Sequence, residues 1–183
     1  MKMDRIEERV EVGGGASASY DLKERVLTVK GEKGELKRVL YHPAIHITVE
    51  DGAIRFFAEH ITLREKKRMY TFVAHAKNMV KGVTEGFTYK LKICSGHFPM
   101  SATVKDRSFE VKNFIGEKVP RVLPIKEGAE VTIDGEVVTV TGFDKEVVGQ
   151  VAADIEQLTR RTGFDSRVFQ DGIFITHKHE KKV

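Results

Sequence analysis

Apolar and polar positions alternate along most of this chain. Val26-Leu27-Thr28-Val29 is short and β-branched, Gly31 and Gly34 mark a turn, and Leu36, Val39 and Leu40 follow. Ile45, Ile47 and Val49 alternate up to Glu50-Asp51-Gly52, after which Ile54, Phe56 and Ala58 resume the pattern. An Asp-Gly pair between two such runs predicts a hairpin, because glycine reaches positive φ without a steric penalty. The same signal recurs at Asp134-Gly135, between Val131/Ile133 and Val137/Val138/Val140. It recurs again at Asp171-Gly172, ahead of Ile173-Phe174-Ile175.

Two stretches change period. Met69, Phe72, Val73, Ala76, Met79, Val80 and Val83 recur at three and four, which predicts an amphipathic helix from about 69, ended by Gly82 or Gly86. Val147, Val148, Val151, Ile155 and Leu158 predict a second, with Asp144 as N-cap and Gly163 as its stop. Gly149 costs that helix stability, and close packing against a sheet would account for it.

These pieces form a repeat. VLTVKGEKGELKRVL (26–40), ITVEDG (47–52), a further strand and a helix are followed by SFEVKNFIGEKVPRVL (108–123), VTIDGEV (131–137), a further strand and a helix. An antiparallel sheet covered on one face by one helix buries one core. The expected architecture is therefore α+β: two tandem repeats of an antiparallel β-sheet packed against one α-helix, over 1–83 and 84–183. The first copy holds extra residues in FFAEHITLREKKRMY, where REKKR (64–68) reads as the charged end of a hairpin.

Composition narrows the class. The 183 residues are 40% hydrophobic and 32% charged, which excludes general disorder. No apolar run approaches the ~20 residues that span a bilayer. The start, MKMDRIEERVEV, is too acidic for a secretory signal, and the single Cys94 excludes an internal disulfide. The cytoplasm is the expected compartment, and no membrane partner is expected.

Net charge is +4 and the pI about 9.1, but the distribution says more. Residues 126–158 carry a net −6, and 159–183 carry a net +3, with His177 and His179 adding titratable charge. Such a chain has one basic end and one acidic face.

Candidate chemistry is sparse. Cys94 and His97 have C-x-x-H spacing, but no motif supplies two further metal ligands. Gly13-Gly14-Gly15 lacks a following Gly-Lys-Ser/Thr and reads as a flexible turn. Phe98, Phe109 and Phe114 read as core rather than as base-stacking rings. No catalytic residue, cofactor or metal is expected. What remains is a scaffold with basic loops and a basic C-terminal strand and tail, suited to folded RNA.

Three ordered segments resemble a known family. Leu27-Thr28-Val29-Lys30-Gly31 with Gly34-Glu35-Leu36 is similar to a T-V-K-G-P-K-G-E-L stretch, with Glu32 where proline is usual. Asn78-Met79-Val80-Lys81-Gly82-Val83-Thr84-Glu85-Gly86-Phe87 is similar to an N-M-(I/V)-x-G-V-T-x-G-(F/Y) junction. Arg167-Val168-Phe169-Gln170-Asp171-Gly172-Ile173-Phe174-Ile175, with Lys178, is similar to R-x-F-x-D-G-(I/V)-Y-(I/V), with Phe174 for tyrosine and Phe164 for a basic residue. Together they resemble the L-six family of large-subunit ribosomal proteins in its archaeal/eukaryotic, here archaeal, form.

The resemblance implies a duplicated α+β fold and a structural, non-catalytic role. It implies binding of the large (23S-type) ribosomal RNA mainly through the C-terminal domain, near the base of the factor-binding stalk. Neighbouring ribosomal proteins and nearby translation GTPases are the implied partners. The residues expected to neutralise phosphate are Arg160, Arg161, Arg167, His177, Lys178, Lys181 and Lys182, with Lys118 and Arg121 as support. Two alternatives are a cytosolic enzyme with a site near Cys94/His97, and a non-ribosomal interaction module using the acidic face of 126–158.

Overall fold

Asp51 and Gly52 both adopt positive φ, 49° and 69°, and close a two-residue turn between β5 (His46–Glu50) and β6 (Ala53–Ile61). That hairpin sits in a computed structural model that describes residues 3–165, 167–179 and 181–182. Met1, Lys2 and Glu180, which entered the sequence reading of the two termini, lie outside the described residues. The chain forms two compact units, Met1–Gly86 and Phe87–Val183.

The first unit holds two three-stranded antiparallel sheets. One is ordered β1-β6-β5, with β1 at Met3–Glu11. The other is ordered β2-β3-β4, from Ser17–Asp21, Val26–Gly31 and Gly34–Val39. α1 (Leu63–Thr84) covers them and buries Met69, Val73, Ala76, Met79 and Val83. These join Leu27, Val29, Ile54 and Phe56 in one core. Each large apolar side chain fully buried there contributes about 1.5–3 kcal/mol.

α1 starts six residues before its apolar stripe. Thr62 is the N-cap, and its hydroxyl accepts from Arg64 N at 3.3 Å. Glu65 accepts the Thr62 amide at 2.6 Å, which completes a capping box. REKKR therefore forms the first turns of a helix, not the end of a hairpin. Leu63 is exposed, so these turns show no buried period.

Gly31 is where β3 meets the end of α1. A Cβ there would stand 2.7 Å from the Val83 carbonyl oxygen and 2.8 Å from a Val83 methyl. The Lys33 amide donates to the same carbonyl at 3.1 Å.

The second unit repeats the plan with an addition. β8 (Ser101–Lys105), β9 (Ser108–Lys112) and β10 (Arg121–Pro124) form a three-stranded sheet. β11 (Ala129–Asp134) and β12 (Val137–Gly142) form the Asp134-Gly135 hairpin, with Gly135 at φ 57°. β12 pairs in turn with β7 (Phe87–Cys94), as β6 pairs with β1. Two further strands, β13 (Gly172–Lys178) and β14 (Lys181–Lys182), extend this sheet to the order β11-β12-β7-β13-β14. α2 (Lys145–Leu158) lies over one face and buries Val148, Val151, Ala152 and Ile155 against Leu91, Val140 and Ile173.

Three sequence expectations change here. The Asp144 carboxylate does cap α2, accepting from Glu146 N at 2.8 Å, but the helix stops at Leu158, before Gly163. A Cβ on Gly149 would meet the Tyr89 hydroxyl at 3.5 Å, an ordinary contact, so close packing does not demand glycine. Asp171-Gly172 closes no hairpin: Gly172 opens β13, and Asp171 is buried before it.

Candidate nucleic-acid interface

β13 joins the sheet through β7, and the Ile173 and Ile175 amides point away from that partner. α2 supplies their acceptors. Thr159 Oγ1 takes the Ile173 N–H at 2.9 Å, and Glu156 Oε1 takes the Ile175 N–H at 3.0 Å. The Thr159 hydroxyl donates onward to the Glu156 carbonyl at 3.2 Å. Side chains of one helix turn thus replace a missing strand, because a buried amide left unpaired costs about 1–3 kcal/mol.

A bulge between Ile175 and His177 resets the register, and Thr176 Oγ1 donates to the Lys90 carbonyl at 3.0 Å. His177 then faces Lys90 on β7 and Lys182 on β14. Directly opposed residues share a face, so Lys90, His177 and Lys182 form one row on the face away from α2. Lys178 opposes Lys181 in the next pair. Opposed like charges destabilise a sheet edge, and among the described residues no carboxylate pairs with either lysine.

Charge is divided across the same sheet. β11 carries Glu130 and Asp134 at one edge, and β14 carries Lys181 and Lys182 at the other. Five strands set these edges roughly 19 Å apart at normal strand spacing.

The segment between α2 and β13 is held from three sides. Asp171 Oδ2 lies 2.6 Å from His97 Nδ1, and Oδ1 accepts the His97 amide at 2.9 Å. Burial pushes the Asp171 carboxyl up, but the His97 amide and ring together with the Gly96 amide outweigh it and hold it below its usual value. The His97 ring lies 5.0 Å from Phe169, which meets Phe164 edge-on at 4.9 Å. Arg161 then covers the Phe164 ring at 4.4 Å.

The third tie is Arg121. Its guanidinium donates twice to Glu117, at 2.7 and 2.6 Å, and to the Leu158 carbonyl at 2.6 Å. It also lies 4.3 Å over the Phe114 ring. The last turn of α2 contains no basic residue. Arg121 supplies the cation from β10 and caps the helix carbonyls. Hydrogen bonds from Arg121 hold the Glu117 carboxyl below its usual range.

The family model described as ribosomal protein L6 matches residues 12–86 and, again, residues 98–172. The chain belongs to the ribosomal protein L6 family. Its curated relatives cover nearly the whole chain. A large ribosomal subunit protein uL6 of Methanospirillum hungatei is 42% identical over 176 residues, covering 96% of this chain and 99% of that protein. Those of Natronomonas pharaonis and Methanosarcina mazei are each 41% identical, over 94% of this chain and 96% and 97% of their own lengths. The two matched stretches fall one in each of the units described above, so the duplication read from the residues is the family's own.

Within this ribosomal protein L6 architecture the predicted site residues do not all behave alike. Lys178, Lys181 and Lys182 are exposed, Arg160 is exposed at the end of α2, and none has an ion pair among the described residues. His177 is half-buried, with Nδ1 3.1 Å from Thr176 Oγ1. Arg167 is exposed but clasps Asp165 in a two-pronged pair at 3.1 and 2.8 Å. Arg161 lies 3.6 Å from Glu117. Lys118 is exposed on the loop ahead of β10. Arg121 is turned inward, where Glu117 and the Leu158 carbonyl engage its guanidinium.

Other residues escaped the sequence reading. Lys90 belongs to the basic row, and its signal was available: Phe87, Tyr89, Leu91 and Ile93 are buried, so Thr88, Lys90 and Lys92 face the other way. His97 and Asp171 are 74 positions apart, and no spacing rule joins them. Phe109 and Phe114 are core as expected, whereas Phe98 is 41% exposed. Among the described residues no group of three or more His, Cys, Asp or Glu is placed to hold a metal ion. No described helix is long and apolar enough to cross a membrane.

Proposed function

We propose that this chain is a structural component of the large ribosomal subunit and grips ribosomal RNA through the added edge of its second unit. The observation that carries the reading is the opposed pair Lys178–Lys181, which adjoins the row Lys90–His177–Lys182 along the strands and projects from the other face of the same sheet edge. A hairpin with like charges facing each other is unfavourable alone and favourable against phosphate. Arg160 and Lys118 are further exposed cations of the same unit, and Arg167 and Arg161 join them when phosphate displaces their carboxylate partners. Exposed ion pairs of that kind hold by only about 0–1 kcal/mol, so the exchange costs little.

On this reading the acidic edge at β11 faces away from the RNA. The wider placement, near the base of the factor-binding stalk with neighbouring ribosomal proteins and translation GTPases close by, follows the resemblance of the three motifs. The protein acts by holding RNA shape, with no reaction of its own. The His97–Asp171 pair serves as a loop clasp, since one carboxylate oxygen is taken by the His97 backbone amide.

Sucrose-gradient sedimentation of cell extract tests the reading. The chain is expected to travel with the large subunit. Recovery at the top of the gradient, with large subunits complete without it, would overturn the proposal.

A further inference from the structure

The cleft beside β13 has features that phosphate binding alone does not use. It has a volume of about 610 Å³, within the range that encloses a small ligand. Phe174 forms one wall and is 45% exposed. Its ring folds back over Gly172, where a Cβ would stand 3.1 Å from the ring tip, so glycine leaves room for the ring there. Phe164 and Phe169 also line it. Gln157 and Thr162 supply polar edges, and Arg160 stands at the lining with no ion pair among the described residues.

We infer that this cleft takes one unstacked nucleotide of the ribosomal RNA, its base on the Phe174 ring and its phosphate on Arg160. The inference rests on the RNA-binding reading above and adds a base-contacting site to it. An aromatic ring accepts any base by its face, while bases splayed out of a helix are the ones proteins reach. The combination of ring, polar edge and guanidinium matches the three parts of a nucleotide. The clasp through Asp171, His97 and Phe169 fixes part of the lining, so the cleft exists before RNA arrives.

The test uses the full chain and protein-free large-subunit ribosomal RNA refolded with magnesium. Phe174→Leu keeps an apolar side chain and removes the ring. It is expected to weaken binding about tenfold, the worth of one stacked base, with the salt slope unchanged because every phosphate keeps its cation. Phe174→Tyr is expected to keep full affinity. A Phe174→Leu variant that binds as tightly as the parent would overturn the inference.

A second measurement works without the large RNA. In amide NMR, nucleoside 5′-monophosphates are expected to shift the Gly172, Thr162 and Phe174 signals, and ribose 5-phosphate is not. Equal shifts from ribose 5-phosphate would show a phosphate site only, and no shift from any nucleotide would remove the site. Should the parent chain fail to bind the ribosomal RNA at all, the wider reading falls, and this titration still decides the cleft by itself.

Discussion

Asp171 Oδ2 and His97 Nδ1 stand 2.6 Å apart, across 74 positions of sequence, and the Asp171 side chain is 3% exposed. The folded carboxyl lies below its usual value, so ionised Asp171 contributes stability above about pH 4 and loses it as pH falls through the lowered value. Asp171→Ala should cost about 1–3 kcal/mol at pH 7, because it strips the His97 amide of its acceptor. The gap between parent and variant should close below about pH 4. Urea melts at stepped pH measure both. A gap that is constant with pH would show that the ionised carboxylate carries none of this stability.

Arg121 should tolerate no conservative exchange. Lysine cannot span Glu117 with two parallel bonds and also reach the Leu158 carbonyl. We expect Arg121→Lys to destabilise the chain by about 1.5–3 kcal/mol, the range for hydrogen bonds to charged groups. The salt slope of RNA binding should stay as in the parent, since this guanidinium meets carboxylate rather than phosphate. Calorimetry and salt-titrated filter binding check the two halves.

Lys181→Ala with Lys182→Ala should do the reverse. Melting should be unchanged or slightly raised, since one opposed like-charge pair is gone. Affinity for ribosomal RNA should fall, and the slope of log affinity against log salt should flatten by about 0.7–0.9 for each phosphate no longer neutralised. A slope equal to the parent's would take β14 out of the interface.

Two glycines should respond in opposite directions. Gly149→Ala gives α2 a better helix former with room for the methyl, and should stabilise by up to about 1 kcal/mol. Gly31→Ala drives a methyl into the Val83 backbone and should cost on the order of 1–3 kcal/mol. Thermal melts of the two variants decide this. A stabilised Gly31→Ala would mean that the end of α1 yields easily.

Local periodicity made the strands, the two helices and the duplication legible from the residues alone, because each unit is built from hairpins and one amphipathic helix. Other elements stayed hidden for particular reasons. The start of α1 is set by a capping box and projects past the core, so its apolar period begins late. β1 does alternate, at Ile6 and Val10 with Val12 just beyond its end, but its charged positions masked it, as is usual for an edge strand. The basic candidates were legible as charge alone. Which of them face outward depended on partners far along the chain: Glu117 and the Leu158 carbonyl for Arg121, Lys90 for His177.

Thr159 and Glu156 fasten one side of the first residues of β13 to a helix, while β7 pairs the other side. Fraying one turn at the end of α2 would therefore strip the Ile173 and Ile175 amides of their acceptors and loosen the start of β13, although β7 still pairs its other side. Substitutions there would masquerade as binding defects, and assembly of the particle would sense the health of a helix end from a distance.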